Sequence, residues 1–292
     1  MIKLIVCDVD GTSVDRFSQF HAGDLHKIKE QIEKGVHFMF ASGRDMNMMT
    51  KILDASSIYN DIILNNGTQY RNYEGTINEC HPMDEQAFRQ MIEILQKYHY
   101  HISIHTTKGK YILNDFETYW NWHMAILMQD ETLRKLDRLP DATFFTREGY
   151  LNDCTSVESV DEIYAQGAQP LKVDARHLNP EEAKGVNERL KVIKHLNISS
   201  SYEDNIEITC DNYDKGIMLK KVIAAYGFAR DEVATFGDGL NDISMLEDFP
   251  YSFAPANAHP LVKEKVHYVL KHNGGDGAVE EGIRLLEQMK LL

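Results

Sequence analysis

Two aspartates stand two residues apart in Asp8-Val9-Asp10-Gly11-Thr12, directly after the mostly apolar run Ile2-Lys3-Leu4-Ile5-Val6-Cys7. Alternate residues of a strand point the same way, so a regular strand would aim both carboxylates together at its C-terminal end. Two nearby carboxylates repel, and each is costly to desolvate; a divalent cation removes that cost. The pattern fits a nucleophilic aspartate and an acid/base aspartate gathered around Mg2+. An aspartate so held can attack phosphorus, because the metal and nearby cations screen the repulsion between two anions. A second carboxylate can protonate the leaving alkoxide and later activate water. An Asp-Gly turn without catalytic work is the plainer alternative.

A second acid-tipped strand lies far away in the chain. Val233-Ala234-Thr235-Phe236 is followed by Gly237-Asp238-Gly239-Leu240-Asn241-Asp242. If a helix starts soon after Gly239, Asp238 and Asp242 approach one face of the strand-to-helix turn. Mg2+ takes octahedral oxygen ligands and keeps waters, so two or three carboxylates suffice; the oxygen spacing of an EF-hand calcium loop is absent. Ser42 and Gly43, in Ala41-Ser42-Gly43-Arg44, could hold phosphate oxygens through a hydroxyl and free N–H groups, although serine there equally caps the next helix. Lys215, in Asp214-Lys215-Gly216, opens a helix whose dipole disfavours it; an anion at that helix start would account for it. The segment bearing His99, His101 and His105 makes no convincing zinc site. Tyr111, Tyr119, Trp120 and Trp122 read as core residues, some of which could line a substrate pocket.

The elements that must carry these residues follow from periodicity. Strand 2–7, a helix near 23–34 ending at Gly35, strand 36–41, a helix near 45–55 and strand 61–64 make a βαβαβ pattern. A parallel sheet with right-handed crossovers is expected, and open sheets of this kind bind ligands past the carboxyl ends of their strands. The middle of the chain differs. Phe88, Met91, Ile92 and Leu95 give a helix over 84–98, strand-like runs fall near 101–105, 110–113, 143–146 and 170–174, and an aromatic helix spans about 115–128. Asn179-Pro180 opens a further helix. From about 198 the βα pattern resumes, with a strand at Ile206-Glu207-Ile208, a helix over 215–226, strand 233–236, and short strands at 251–254 and 267–270. The fold class is α/β: a Rossmann-like parallel-sheet core, residues 1–82 and 195–292, with an inserted α+β unit over 83–194.

The net charge of −14 argues against a phosphate-backbone binder, because nucleic-acid affinity rests on clustered cations, and it disfavours an anionic membrane surface. A small anionic substrate stays allowed, since a metal and local cations reverse the field inside a cleft. Cys7, Cys80, Cys154 and Cys210 form no C-x-x-C pair and read as reduced thiols. The short apolar start is too brief for a signal peptide and nothing approaches a membrane span, so a cytoplasmic protein is expected, as a monomer or small homo-oligomer.

Together the motifs resemble the haloacid dehalogenase-like phosphatase superfamily in its Cof-type branch. Asp8-Val9-Asp10-Gly11-Thr12, Ser42, Lys215-Gly216 and Gly237-Asp238-Gly239-Leu240-Asn241-Asp242 stand in the family's order. Asn66 before Gly67, Ala256-Asn257-Ala258 and Asp276-Gly277-Ala278 extend the likeness over nearly the whole chain. Ser13-Val14 replaces a usual leucine pair, which should alter packing rather than chemistry. The resemblance implies that Asp8 forms an aspartyl-phosphate while Asp10 serves as acid and then base. Mg2+ would sit on Asp8, the backbone carbonyl of Asp10 and Asp238, with Asp242 supporting it directly or through water. Ser42, Gly43, Lys215 and Asn241 would bind phosphate, Arg44 and Asn66 are candidate substrate contacts, and the inserted unit would act as a cap that closes over the cleft and sets specificity. The expected reaction is hydrolysis of a small phosphorylated metabolite, foremost a sugar phosphate. The alternatives are a phosphatase for a phosphorylated cofactor (pyridoxal phosphate or a flavin nucleotide), a phosphomutase, or a non-catalytic sensor of a phosphometabolite.

Overall fold

The structure is a computed structural model that describes residues 1–139, 143–199 and 205–292. The chain divides into two compact units, one of residues 1–80 with 213–292, the other of residues 81–212. In chain order the first strands are β1 (Leu4–Cys7), β2 (His37–Ala41), β3 (Asp61–Leu64), β4 (Gln69–Arg71) and β5 (Ile77–Cys80). The middle segment adds β6 (His101–Thr106), β7 (Gly109–Ile112), β8 (Cys154–Ser156), β9 (Pro170–Arg176), β10 (Leu196–Ser199) and β11 (Asn205–Cys210). β12 (Val233–Phe236), β13 (Tyr251–Ala254) and β14 (Tyr268–Val269) complete the set.

The first unit holds one sheet in the order β14-β13-β12-β1-β2-β3-β4-β5. Pairing is parallel from β14 to β3 and antiparallel across the β4–β5 hairpin. Both faces are covered. Ile5, Cys7, Phe38, Phe40, Ile62 and Phe236 pack on one side with Ile28, Met49, Ile52, Val279 and Ile283. The alternate residues Leu4, Val6, Met39, Ile63 and Val233 pack on the other with Met218, Leu219, Val222 and Phe249. This two-sided burial explains why the strands read as continuous apolar runs. The strand order turns at β1: the chain builds outward through β2 and β3 on one side, then returns to build through β12, β13 and β14 on the other. Crossovers that diverge from neighbouring strands leave a crevice at their carboxyl ends, and Asp8 is the first residue beyond β1.

The second unit holds a sheet in the order β10-β11-β9-β6-β7-β8, antiparallel except for β7 with β8. Its helices include Glu85–Lys97, capped by Asp84, and Phe116–Leu127, capped by Asp115. Two expectations change here. The sequence reading ended the inserted unit at 194 and gave Ile206-Glu207-Ile208 to the core, whereas β10 and β11 pair with β9 inside the second unit's sheet. Residues 143–146 are not a strand; Thr143–Phe145 form a 3-10 turn and Thr146 caps the helix Arg147–Leu151 by accepting from Gly149 N at 3.2 Å. The bond to the Thr146 hydroxyl starts a helix where the side-chain types had suggested a strand.

A buried aromatic group fills one side of this second sheet. The His101 ring stacks on Tyr119 at 4.2 Å between centroids, and His123 stacks on Tyr150 at 3.6 Å. His123 Nε2 donates to the Phe144 carbonyl at 2.7 Å. Burial drives the His101 imidazole down to about 3, helped by the charges of His123, Arg176 and Lys110. Burial likewise takes His123 down to about 4, against the pull of its bond to Phe144. Both rings are therefore neutral when folded, while the unfolded chain takes up protons below its ordinary histidine pKa of about 6.5. The stability they contribute is full above about pH 6.5 and is lost as pH falls toward 4. The melting temperature should decline across that window, and His123→Gln should flatten the decline; an unchanged slope in the variant would contradict the assignment.

Candidate active site

The site is built on the carboxyl ends of β1, β2 and β12 and on the start of the helix Lys215–Tyr226. Asp8 follows β1 and is held in place by its own N–H, which donates to Phe236 O at 2.9 Å. Its carbonyl accepts from Ser13 Oγ at 2.6 Å. The chain then turns sharply at Gly11, whose φ is +79°. A Cβ at that position would lie 2.4 Å from Asp238 Oδ2, so only glycine lets the first loop approach the second acidic loop this closely. Thr12 Oγ1 spans the same gap, donating to Asp238 Oδ1 at 2.8 Å.

Lys215 is fully buried and its ammonium donates to Asp8 Oδ1 and to Asp242 Oδ1, both at 2.6 Å. Its helix is capped by Asp214, which accepts from Ile217 N at 2.7 Å. Gly216 lets that helix start press against the segment after β12: an added Cβ would meet the Ser244 carbonyl at 2.0 Å. Asp8, Asp238 and Asp242 offer oxygens that all lie within 4.8 Å of one another. Asp242 has both oxygens engaged, Oδ1 by Lys215 and Oδ2 by the backbone N–H groups of Asp238 and Gly239 at 3.0 and 2.9 Å. It therefore acts as the brace of the acidic loop.

Electrostatics follow from burial. Desolvation lifts Asp8 well above the usual carboxylate range, with Asp242 and then Asp238 and Asp10 adding repulsion while Lys215 opposes it. Desolvation and Asp242 push Asp238 up to about 7, against the bond from Thr12. Burial pulls the Lys215 ammonium toward neutrality, but the charges of Asp242 and Asp8 outweigh it and hold its pKa above the ordinary lysine value. One buried cation is thus too little for the carboxylates around it, and the all-oxygen donor set suits a hard divalent ion such as Mg2+.

The remaining residues singled out from the sequence lie on the loops that follow β1, β2, β3 and β12. Asp10 stands apart from the three-carboxylate group with its side chain 43% exposed, while its partner Arg44 is only 7% exposed. The guanidinium grips it with two bonds, Nε to Oδ2 at 2.8 Å and Nη2 to Oδ1 at 2.5 Å, and also reaches Ser18 Oγ at 2.7 Å. Arg44, expected as a substrate contact, thus holds the acid/base candidate. Ser42 is buried at the end of β2, where its hydroxyl accepts from Arg44 N at 3.1 Å and its carbonyl from Asn66 N; Gly43 lies between Ser42 and Arg44 on the same loop. Asn66 adopts a left-handed φ of 55° and its Oδ1 accepts from Asn241 Nδ2 at 3.1 Å, which brings the loops after β3 and β12 together. Asn257 was missed as a site residue, though its motif was visible: it donates to Gly11 O at 2.8 Å and to Asp238 Oδ2 at 3.4 Å, and accepts from Gly274 N at 2.7 Å. Of the histidines considered for zinc, His101 bonds Tyr150 and His105 bonds Asp174.

Comparison with known proteins identifies the family. Residues 5–281 match the family described as haloacid dehalogenase-like hydrolase. The chain is a haloacid dehalogenase-like hydrolase. The Bacillus subtilis 5-amino-6-(5-phospho-D-ribitylamino)uracil phosphatase YwtE is 26% identical to this hydrolase over 94% of this chain and 95% of its own. The Escherichia coli pyridoxal phosphate phosphatase YbhA is 24% identical over 95% and 96%. The solved structure of a haloacid dehalogenase-like hydrolase from B. subtilis superposes with a TM-score of 0.84 at 19% identity, covering 98% of this chain and all of that one. The curated relatives of this hydrolase named here are phosphatases. Among the described residues no helix is long and apolar enough to cross a membrane.

The buried clamp gives a direct test. Lys215→Met leaves Asp8 and Asp242 facing each other without a cation. Removing one partner of a buried ion pair costs about 3 kcal/mol or more, so the midpoint of urea unfolding should drop sharply in EDTA. An unchanged midpoint would show that the carboxylates do not need the lysine.

Proposed function

We propose that this hydrolase is a Mg2+-dependent phosphatase working through an aspartyl-phosphate, with a sugar phosphate as its foremost substrate class. The observation that carries the reading is the set of three carboxylates within 4.8 Å, tied by a buried lysine at the point where the strand order turns. In this reading Asp8 and Asp238, with the Asp10 backbone carbonyl, hold the ion, and Asp242 positions them. The bound ion would supply charge neutralisation, offsetting the repulsion between Asp8 and an incoming phosphate dianion.

The protein groups carry the rest of the reaction. Asp8 attacks phosphorus through a carboxylate oxygen; the new O–P bond forms as the bond to the leaving oxygen breaks. Asp10 donates its proton to that leaving oxygen and so becomes the base for the second step. A water then loses a proton to Asp10 and attacks phosphorus, releasing inorganic phosphate and restoring Asp8. Ser42, the Gly43 N–H, Lys215 and Asn241 stabilise the equatorial oxygens, where charge accumulates in phosphoryl transfer. Arg44 keeps Asp10 oriented between its two proton transfers. Thr12 and Asn257 fix Asp238, so their contribution is to the ion's seat.

A second substrate reading is a phosphate ester attached to a nitrogen heterocycle. It is supported by the names of two relatives, a pyridoxal phosphate phosphatase and a ribitylaminouracil phosphate phosphatase. Phosphate release from a panel of sugar phosphates, pyridoxal phosphate, flavin mononucleotide and an aryl phosphate, in Mg2+ and in EDTA, separates the two. Metal-dependent release greatest on a sugar phosphate supports the first, and greatest on a heterocyclic ester supports the second. Asp8→Asn should abolish release while the melting curve stays cooperative; near-native turnover in that variant would remove the nucleophile.

Metal binding should also depend on pH. Because Asp8 and Asp238 are held above the usual carboxylate range, protons compete for the oxygens that an ion needs. Calorimetric Mg2+ affinity should therefore rise between about pH 6 and about pH 8. An affinity that is flat across that range would mean that these carboxyls are not the ion's ligands.

A further inference from the structure

Where β1 ends, the sheet stops supplying a partner for the main chain of Asp8. In a parallel pair, alternate residues bond the same neighbouring strand through evenly spaced N–H and C=O groups. The Asp8 N–H donates to Phe236 O at 2.9 Å. Run on by one step, the ladder would bring the Asp238 N–H to the Asp8 carbonyl. That N–H is turned instead to Asp242 Oδ2, at 3.0 Å. On the other side Ser42 N, the first donor past β2, bonds Ile63 O at 2.8 Å. Among the described residues no loop N–H bonds the Asp8 carbonyl, and Asp8 is buried. A buried carbonyl left unpaired is costly.

Ser13 supplies the missing donor. Its side chain is fully buried and its hydroxyl donates to Asp8 O at 2.6 Å. Its backbone is fixed independently of that bond. The Val9 carbonyl accepts from the N–H groups of Ser13 and Val14, both at 3.0 Å, and the Gly11 N–H donates to Val14 O at 3.0 Å. Residues 9–14 are therefore closed on themselves, with one side chain reaching back to the residue before the loop. The family resemblance put a leucine at this position, and a leucine side chain has no donor to offer. The serine thus does more than alter packing. It anchors the C=O of Asp8, Phe236 anchors the N–H, and Lys215 holds the carboxylate. With both backbone groups of Asp8 tied, the direction in which the chain leaves toward Asp10 is also set.

We infer that Ser13 is a positioning residue for the Asp8 nucleophile and, through the same stretch of backbone, for the Asp10 carbonyl of the ion's seat. The inference rests on the phosphatase reading above and deepens it. Ser13→Thr and Ser13→Val test it as a pair, because threonine and valine have nearly the same shape and only threonine carries the hydroxyl. The full-length chain and both variants are assayed for hydrolysis of an aryl phosphate in Mg2+, and Mg2+ binding without substrate is read by calorimetry. Ser13→Thr should stay near the unaltered chain. Ser13→Val should bind Mg2+ about tenfold more weakly, the lower end of the loss seen when a group supporting a metal ligand is removed. Its kcat should fall by a similar factor while KM for the aryl phosphate changes little. A serine that served folding alone would give fewer Mg2+ sites at unchanged affinity, and that result overturns the inference. Equal Mg2+ affinity in the two variants also overturns it and leaves the phosphatase reading intact. If the unaltered chain neither binds Mg2+ nor releases phosphate, the phosphatase reading itself falls and the inference falls with it. Should either branched variant fail to fold, Ser13→Ala set against the unaltered chain reads the same outcomes.

Discussion

The buried ammonium of Lys215 between Asp8 and Asp242 is the interaction on which the site depends. At an effective dielectric constant near 20, two unit charges about 4 Å apart interact by about 4 kcal/mol, so unbalanced acids would push this edge of the sheet apart or force it to take up protons. The lysine reaches both acids only because its helix starts very near the segment after β12, a contact that Gly216 makes possible. Asp242, in turn, uses its second oxygen to fix the backbone of Asp238 and Gly239. One cation thereby organises the loop after β1 and the loop after β12 together, and what it leaves unneutralised is the charge that a divalent ion would take.

The sheet explains why these loops meet at all. β1 lies between β12 and β2, so loops from the first and last thirds of the chain emerge side by side. Polar side chains at those carboxyl ends then satisfy one another: Thr12 with Asp238, Asn241 with Asn66, Asn257 with Gly11. These cross-links hold the loops after β1, β3 and β12 to distances of a hydrogen bond. Preorganisation of this kind is what electrostatic catalysis requires, because the groups need not move as charge develops.

Much of this was legible in the residues themselves. The apolar runs of β1, β2, β3 and β12 end at Asp8, Ser42, Asn65 and Gly237, and a strand interior buried on both faces reads the same from any side. The helix starts at Asp45, Asp84 and Asp214 carried their caps in sequence. What was not legible depends on partners distant in the chain. Ile206-Glu207-Ile208 looks like a strand in either sheet, and only its pairing with β9 and β10 places it in the second unit. Arg44 and Asp10 are 34 residues apart, and no local pattern announces that one holds the other. The hairpin of β4 and β5 was overlooked because its strands are short and its outer strand is largely exposed, leaving little apolar periodicity to detect.

The order in which the parts are made has its own consequence. Asp8 and Lys215 are separated by 207 residues, and a ribosome adding about 5–20 residues per second needs roughly 10–40 s to cover that span. Throughout that interval the nascent chain carries Asp8 with neither its counter-charge nor the β12 strand that flanks it. The middle unit is one continuous segment and meets no such delay. The acidic centre can therefore be completed only once the chain has passed Asp242, when the whole of the middle unit has already been made.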